Sequence, residues 1–241
     1  MADNINSLFP DRGGSSNVAS AARPIKLGKT MVDKAETVIL IHGLWMPGLV
    51  MLPHQHWLRN EGFGTRRFSY PSWRDGLADN VRLLSGFVKE TPGTVIHLVA
   101  HSLGGLLALK MLSQEPDARI GRIVLLGTPY AGCHCGFTLA ALPGLSGLTG
   151  RSFKDWFRQA RPDLPPATEV GIIAGTRRIG FGCLIPGLAR PNDGLIAVGE
   201  TRLPTATDSI ALHLSHSGML VSRACAGQIA TFLRTGKFVR V

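Results

Sequence analysis

The sequence predicts an α/β fold: a mostly parallel central sheet with helices on both faces, in a single domain. Three observations carry this. Apolar, β-branched runs recur at 37–41, 95–100, 122–126 and 170–175, of the kind that is covered on both faces in a parallel sheet. Helix-compatible stretches separate most of them at the spacing of right-handed crossovers. Three of the runs end in glycine-bearing turns, His42-Gly43, Ser102-Leu103-Gly104-Gly105 and Gly127-Thr128-Pro129, at the carboxyl edge where ligands bind in such sheets.

Residues 1–34 are rich in Ser, Gly, Asn and Ala and follow no period of 2 or 3.6. A flexible arm is expected there, with the folded domain over 35–241. The first strand, 37–41, is followed by a helix over 49–60 and a strand over 65–70 that stops at Pro71. His54 and His56 lie two apart on that helix, off a common face, so a surface role is expected for them rather than a metal pair. Asp75-Gly76-Leu77 opens a helix whose Leu77, Val81, Leu84 and Val88 repeat at the spacing of a core-facing stripe. The central strand over 95–100 leads through Ser102 into a helix containing 106–112, and a strand over 122–126 follows Pro116 and Gly121.

From 130 to 166 the alternation stops. Phe137, Leu139, Leu142, Leu145 and Leu148 stand among glycines and prolines before a helical stretch over 151–161. Segment 132–167 reads either as packed filler or as a short apolar, lid-like insertion, and the remaining strands make a minimal sheet. Order returns with the strand over 170–175, a Gly- and Pro-rich loop carrying Asn192-Asp193-Gly194, a last strand over 209–214 and a closing helix over 219–233.

The 241 residues carry a net charge of +10, but the arginines are spread from Arg12 to Arg240 and no nucleic-acid-binding motif gathers them. The balance favours weak attraction to anionic surfaces, acidic lipid included, with no specific nucleic-acid partner. Cys133, Cys135, Cys183 and Cys225 lack the spacing of a structural zinc site and read mostly as small apolar residues, with a disulfide left open should the protein be exported; no metal or cofactor is expected. Residues 1–10 include Asp3 and no basic start with an apolar core, and the uncharged span 123–150 is broken by Gly127, Pro129, Gly132, Gly136 and Pro143. A cytoplasmic location is expected.

A serine hydroxyl is a poor nucleophile at neutral pH and needs a base within reach and an acid to orient that base. Each candidate has a plain reading when taken alone: the Ser102 turn as a strand-helix connection, Asp193 before Gly194 as a turn, His216 as a helix cap. In the order Ser102, Asp193, His216, each following a predicted strand, they supply nucleophile, acid and base together. Asp208 and Glu200 also precede the last strand, but Asp208 sits at its entry, the wrong edge of the sheet.

The pieces His42-Gly43-Leu44, Ala100-His101-Ser102-Leu103-Gly104-Gly105, Gly127-Thr128-Pro129, Asn192-Asp193-Gly194 and His216 resemble the compact bacterial esterase/lipase branch of the α/β-hydrolase superfamily. The Ala-His-Ser-x-Gly turn is similar to that of small bacillus-type lipases, and the likeness runs from Glu36 to the end of the chain. It implies an α/β-hydrolase fold and cleavage of carboxylic esters through an acyl-enzyme. Ser102 would be the nucleophile, His216 the base and Asp193 its orienting acid, with the backbone N–H groups of Leu44 and Leu103 as the oxyanion hole. Trp45, Met46, Phe137 and Leu142 are expected near the mouth, which suits an apolar acyl chain. Thioester cleavage or acyl transfer would use the same groups, and a hydrolase fold that only binds its ligand is the alternative outside enzymes.

Overall fold

The computed structural model of the chain describes residues 36–240, and the arm expected over 1–34 lies outside them. Six strands pair in parallel throughout: β1 (Glu36–Ile41), β2 (Gly64–Phe68), β3 (Val95–His101), β4 (Ile120–Leu126), β5 (Glu169–Gly175) and β6 (Asp208–Leu212), in the order β2-β1-β3-β4-β5-β6. Alternate residues of each strand serve opposite faces, as a period of two demands. Ile39 and Ile41 of β1 with Leu98 and Ala100 of β3 join one core cluster, and Val38, Leu40 and Val99 join the other.

Helices α2 (Leu77–Lys89), α3 (Leu103–Gln114) and α5 (Arg151–Arg158) pack on the first face, and α1 (Leu52–Asn60) and α6 (Arg223–Thr235) on the second. The stripe Leu77, Val81, Leu84, Val88 of α2 is fully buried, as its spacing predicts. A short helix α4 (His134–Ala141) opens the irregular stretch between β4 and β5.

Several boundaries differ from the sequence reading, each for a local reason. Strand β2 stops at Phe68 because the N–H of Tyr70 turns away to the Nε2 of His42, 3.2 Å. Strand β6 stops at Leu212, where Leu214 N–H folds back onto the carbonyl of Leu212. The closing helix starts at Arg223 rather than 219, because a 3₁₀ turn over Gly218–Val221 comes first and the Ser222 hydroxyl caps the helix by accepting from the N–H of Cys225.

His54 is corrected outright: it is fully buried, whereas His56 is exposed. Met51, His54, Gln55 and Leu58 form the buried i, i+3, i+4, i+7 stripe, so this histidine occupies an apolar position on α1. Among the described residues no helix is long and apolar enough to cross a membrane.

Candidate active site

Ser102 lies between the end of β3 and the start of α3, with φ 53° and ψ −123°. A non-glycine residue at positive φ costs of order 1–3 kcal/mol and persists only where its surroundings hold it. Two features hold it here. Ser102 N–H donates to the carbonyl of Leu126, 2.8 Å, tying the turn to β4. Behind it, α3 sits so close to the sheet that a Cβ on Gly104 would stand 2.4 Å from the His42 carbonyl and one on Gly105 2.0 Å from the Thr128 hydroxyl. The turn leaves the N–H of Leu103 at the start of α3, where the helix dipole favours negative charge.

The long loop after β5 carries Asp193, and His216 follows β6. The two are joined twice. His216 Nδ1–H donates to Asp193 Oδ2 at 2.7 Å, and His216 backbone N–H donates to the Asp193 carbonyl at 2.9 Å. The other carboxylate oxygen, Oδ1, accepts from Leu195 N–H (2.9 Å) and Ile196 N–H (2.7 Å), so the Asp193 carboxylate is fixed by its own loop while facing His216. Asp193 is 1% exposed and His216 5%. Gly127 makes room for this pair. At φ +54°, a Cβ there would lie 3.0 Å from His216 Nδ1 and 3.1 Å from Asp193 Oδ2.

The other two candidates for the acid are occupied elsewhere. Asp208 stands at the opposite edge of the sheet, where it binds Arg240 and the N–H groups of Phe238 and Ser209. Burial pushes its carboxyl up, but these donors outweigh burial and hold it below the usual aspartate value. Glu200 accepts from the backbone N–H groups of His134 and Ala197.

Three histidines that the sequence reading did not assign to the site surround it. His42, at the end of β1, accepts from Tyr70 N–H on Nε2, which leaves Nδ1–H to donate to the Gly43 carbonyl at 2.8 Å. This fixes the start of the turn that carries Leu44 and Trp45. Trp45 has φ 59°, and its N–H donates to the Ser72 hydroxyl. His101, beside Ser102, donates from Nε2 to the carbonyl of His216 at 3.1 Å, the two rings lying 4.5 Å apart. His54 donates from Nε2 to the carbonyl of Met219 at 2.8 Å. A signal was present for His42, in the His42-Gly43-Leu44 piece, and for His101, in the middle of the Ala-His-Ser turn, but not for His54.

Desolvation is the largest cause that lowers the pKa of all three, and the charge of a protonated His216 lowers His101 further, well below its ordinary value. Each folded-state value therefore lies below the unfolded value of about 6.5. As pH falls below about 6.5 the unfolded chain binds protons that the folded one refuses, so stability is complete above that pH and lost below it. Each histidine steepens the loss by at most about 1.4 kcal/mol per pH unit. Urea denaturation followed at a series of pH values is expected to show a flat stability above neutrality and a steep decline on the acid side.

Ser102 and His216 open onto one cavity of about 230 Å³, lined on one side by Leu44, Trp45 and Met46 and on the other by residues between β4 and β6. Among the described residues no direct hydrogen bond joins the Ser102 hydroxyl to the imidazole, a contact that often tightens only with substrate present. Trp45 and Met46 line the cavity, but Phe137 and Leu142 do not. The cause is helical geometry. On α4 the residues facing inward are Cys135, Gly136 and Leu139, while Phe137 packs against Phe153 (tilted) and Phe157 (edge-on), at 6.1 and 4.7 Å between ring centroids, and Leu142 is exposed.

Leu148, Phe153, Ile179, Phe181 and Ile185 complete the apolar wall. Cys133 and Cys135 also line it, but burial pushes their thiols up to about 12 and about 11, which leaves them protonated and unreactive at neutral pH. Among the described residues no group of three His, Cys, Asp or Glu is placed to hold a metal ion.

A parallel sheet with a strained serine turn after its central strand, and a carboxylate-histidine pair delivered from the two strand ends beyond it, is the arrangement to compare with known proteins. The profile described as Alpha/beta hydrolase family matches residues 38–227, most of the chain. The chain belongs to the alpha/beta hydrolase family.

Solved structures resemble this alpha/beta hydrolase at low identity. The mature Bacillus licheniformis lipase BlEst2 superposes with a TM-score of 0.71 at 17% identity, over 86% of this chain and 93% of that one. A metagenomic carboxyl esterase, MGS0156, gives 0.63 at 19% identity, over 83% and 70% of the two chains. The pyrethroid hydrolase PytH gives 0.58 at 16% identity, over 83% and 98%. At these identities the likeness is one of fold. No curated protein shows a significant sequence match to this alpha/beta hydrolase.

Proposed function

We propose that this chain is a serine hydrolase that cleaves carboxylic esters bearing an apolar acyl group, through an acyl-enzyme. The observation that carries the reading is the Asp193-His216 pair, held by two hydrogen bonds at the cavity that Ser102 also lines. His216 Nε2 accepts the Ser102 proton as the hydroxyl oxygen attacks the ester carbonyl, and Asp193 keeps the other ring proton on Nδ1. The negative oxygen of the tetrahedral intermediate is placed against the N–H groups of Leu103 and Leu44, an arrangement in which one donor is typically worth roughly 10²- to 10³-fold in turnover. His216 then protonates the leaving alcohol, and in the second half accepts a proton from water as it attacks the acyl-enzyme. The chemistry requires no cofactor or metal. The test is a fluorophosphonate probe, whose phosphoryl adduct is expected on Ser102 by peptide mass spectrometry; a folded protein that takes no label would overturn the reading.

The cavity also bounds the substrate. Its apolar-lined space of about 230 Å³ exceeds the roughly 150 Å³ cavity that takes a benzene-sized group, which suits a medium acyl chain. Rates on p-nitrophenyl esters are expected to peak at medium acyl length and to fall for the longest chains. Phe153 forms part of the wall and presses on α4, where a Cβ on Gly136 would lie 2.2 Å from its ring. Phe153→Leu is expected to move the optimum toward longer chains. The same chain-length profile, measured on both proteins, checks it.

A further inference from the structure

We infer that the loop between β5 and Asp193 is a docking surface for anionic lipid bilayers, set at the mouth of the cavity. On this loop Ile179 and Phe181 line the cavity yet are 54% and 57% exposed, and Leu184 nearby is 78% exposed. Across the mouth Trp45 is 56% exposed and Leu148 40%. Large apolar side chains that stand in water around one opening mark an interaction surface rather than scattered exceptions.

Charge identifies the partner. The two other loops that frame this opening, 42–51 and 127–150, contain no Asp, Glu, Lys or Arg. The stretch 176–193 contributes Arg177, Arg178 and Arg190, all exposed and none in an ion pair among the described residues. Its one carboxylate, Asp193, is buried and bound to His216. The loop thus offers unpaired cations next to unpaired apolar side chains. A nucleic acid or other soluble polyanion rewards only the first, and a neutral bilayer only the second. A bilayer with anionic headgroups rewards both. The ester hydrolase reading explains why the cavity opens onto this surface, but the docking does not depend on it.

The test is co-sedimentation of the full-length chain with vesicles of phosphatidylcholine alone and of equal parts phosphatidylcholine and phosphatidylglycerol. The variants are Arg177→Ala/Arg178→Ala and Leu184→Ser, whose side chains do not line the cavity and are exposed. Binding to the mixed vesicles, released by high salt, is expected. It should fall about 30-fold in the double arginine variant, from the roughly fivefold that 1 kcal/mol per surface charge represents, and several-fold in Leu184→Ser. Equal binding to neutral vesicles, variants that bind like the parent, or tighter binding to heparin that Leu184→Ser leaves unchanged would each overturn the proposal. Hydrolysis of a soluble short-chain ester is read separately and is expected to be unaltered in both variants. Hydrolysis without vesicle binding defeats the docking surface alone, and vesicle binding without hydrolysis defeats the hydrolase reading alone.

Discussion

Ser102→Ala is expected to lower turnover of a medium-chain ester by about 10⁶-fold while leaving the fold intact. The size follows from the role assigned to the oxygen: without it no acyl-enzyme forms, and only positioning and the oxyanion donors remain. The fold should survive because the hydroxyl makes no buried hydrogen bond and the turn is held through backbone atoms, Ser102 N–H on Leu126 and the Ser102 carbonyl accepting from Gly105 N–H. Alanine tolerates positive φ no better and no worse than serine. Steady-state kinetics with a thermal melt of both proteins decide the matter, and a loss of less than tenfold would mean that another group attacks.

Asp193→Asn is expected to cost about 10⁴-fold in turnover, against a change of no more than about twofold for Asp208→Asn. In the first variant the retained carbonyl oxygen can keep the N–H groups of Leu195 and Ile196, so the loop should persist. The new amide then faces His216 Nδ1 with a donor, which drives the ring proton to Nε2 and removes the lone pair that must accept the Ser102 proton. Asp208, by contrast, joins the chain end to the sheet through Arg240 and Phe238, so its loss should be read in the melting temperature and not in turnover. Equal small losses of turnover in both variants would place the acid elsewhere.

Much of the sheet was legible in the sequence because buried parallel strands write themselves as uninterrupted apolar runs; 95–100 needed no tertiary information. The order of Ser102, Asp193 and His216 was equally plain, since strand ends are few and each candidate follows one. The cavity wall was not. Segment 132–167 has no sustained period, so hydrophobicity alone points to Phe137 and Leu142, and a turn of helix rotates Phe137 away while bringing Cys135 and Leu139 inward. His54 was misplaced because a polar residue type stood in an apolar stripe, and only the Met219 carbonyl 2.8 Å away makes that position affordable. Ile179 and Phe181 were hidden among glycines, where no periodicity marks a face.

Glu200 has a meaning beyond its exclusion as the acid. Its two oxygens hold the N–H groups of Ala197, on the loop that carries Asp193, and of His134, at the first residue of α4; its own carbonyl takes Ala131 N–H. At the far side of the same segment Trp73 donates to Gly147, Asp155 accepts from Leu77 N–H and Asn80 donates to Ser152. A flap swings on hinges at its two ends, and both flanks of this segment are hydrogen-bonded to the body of the domain. With both flanks held, the segment is expected to act as a standing wall, and any choice among esters to follow its contour.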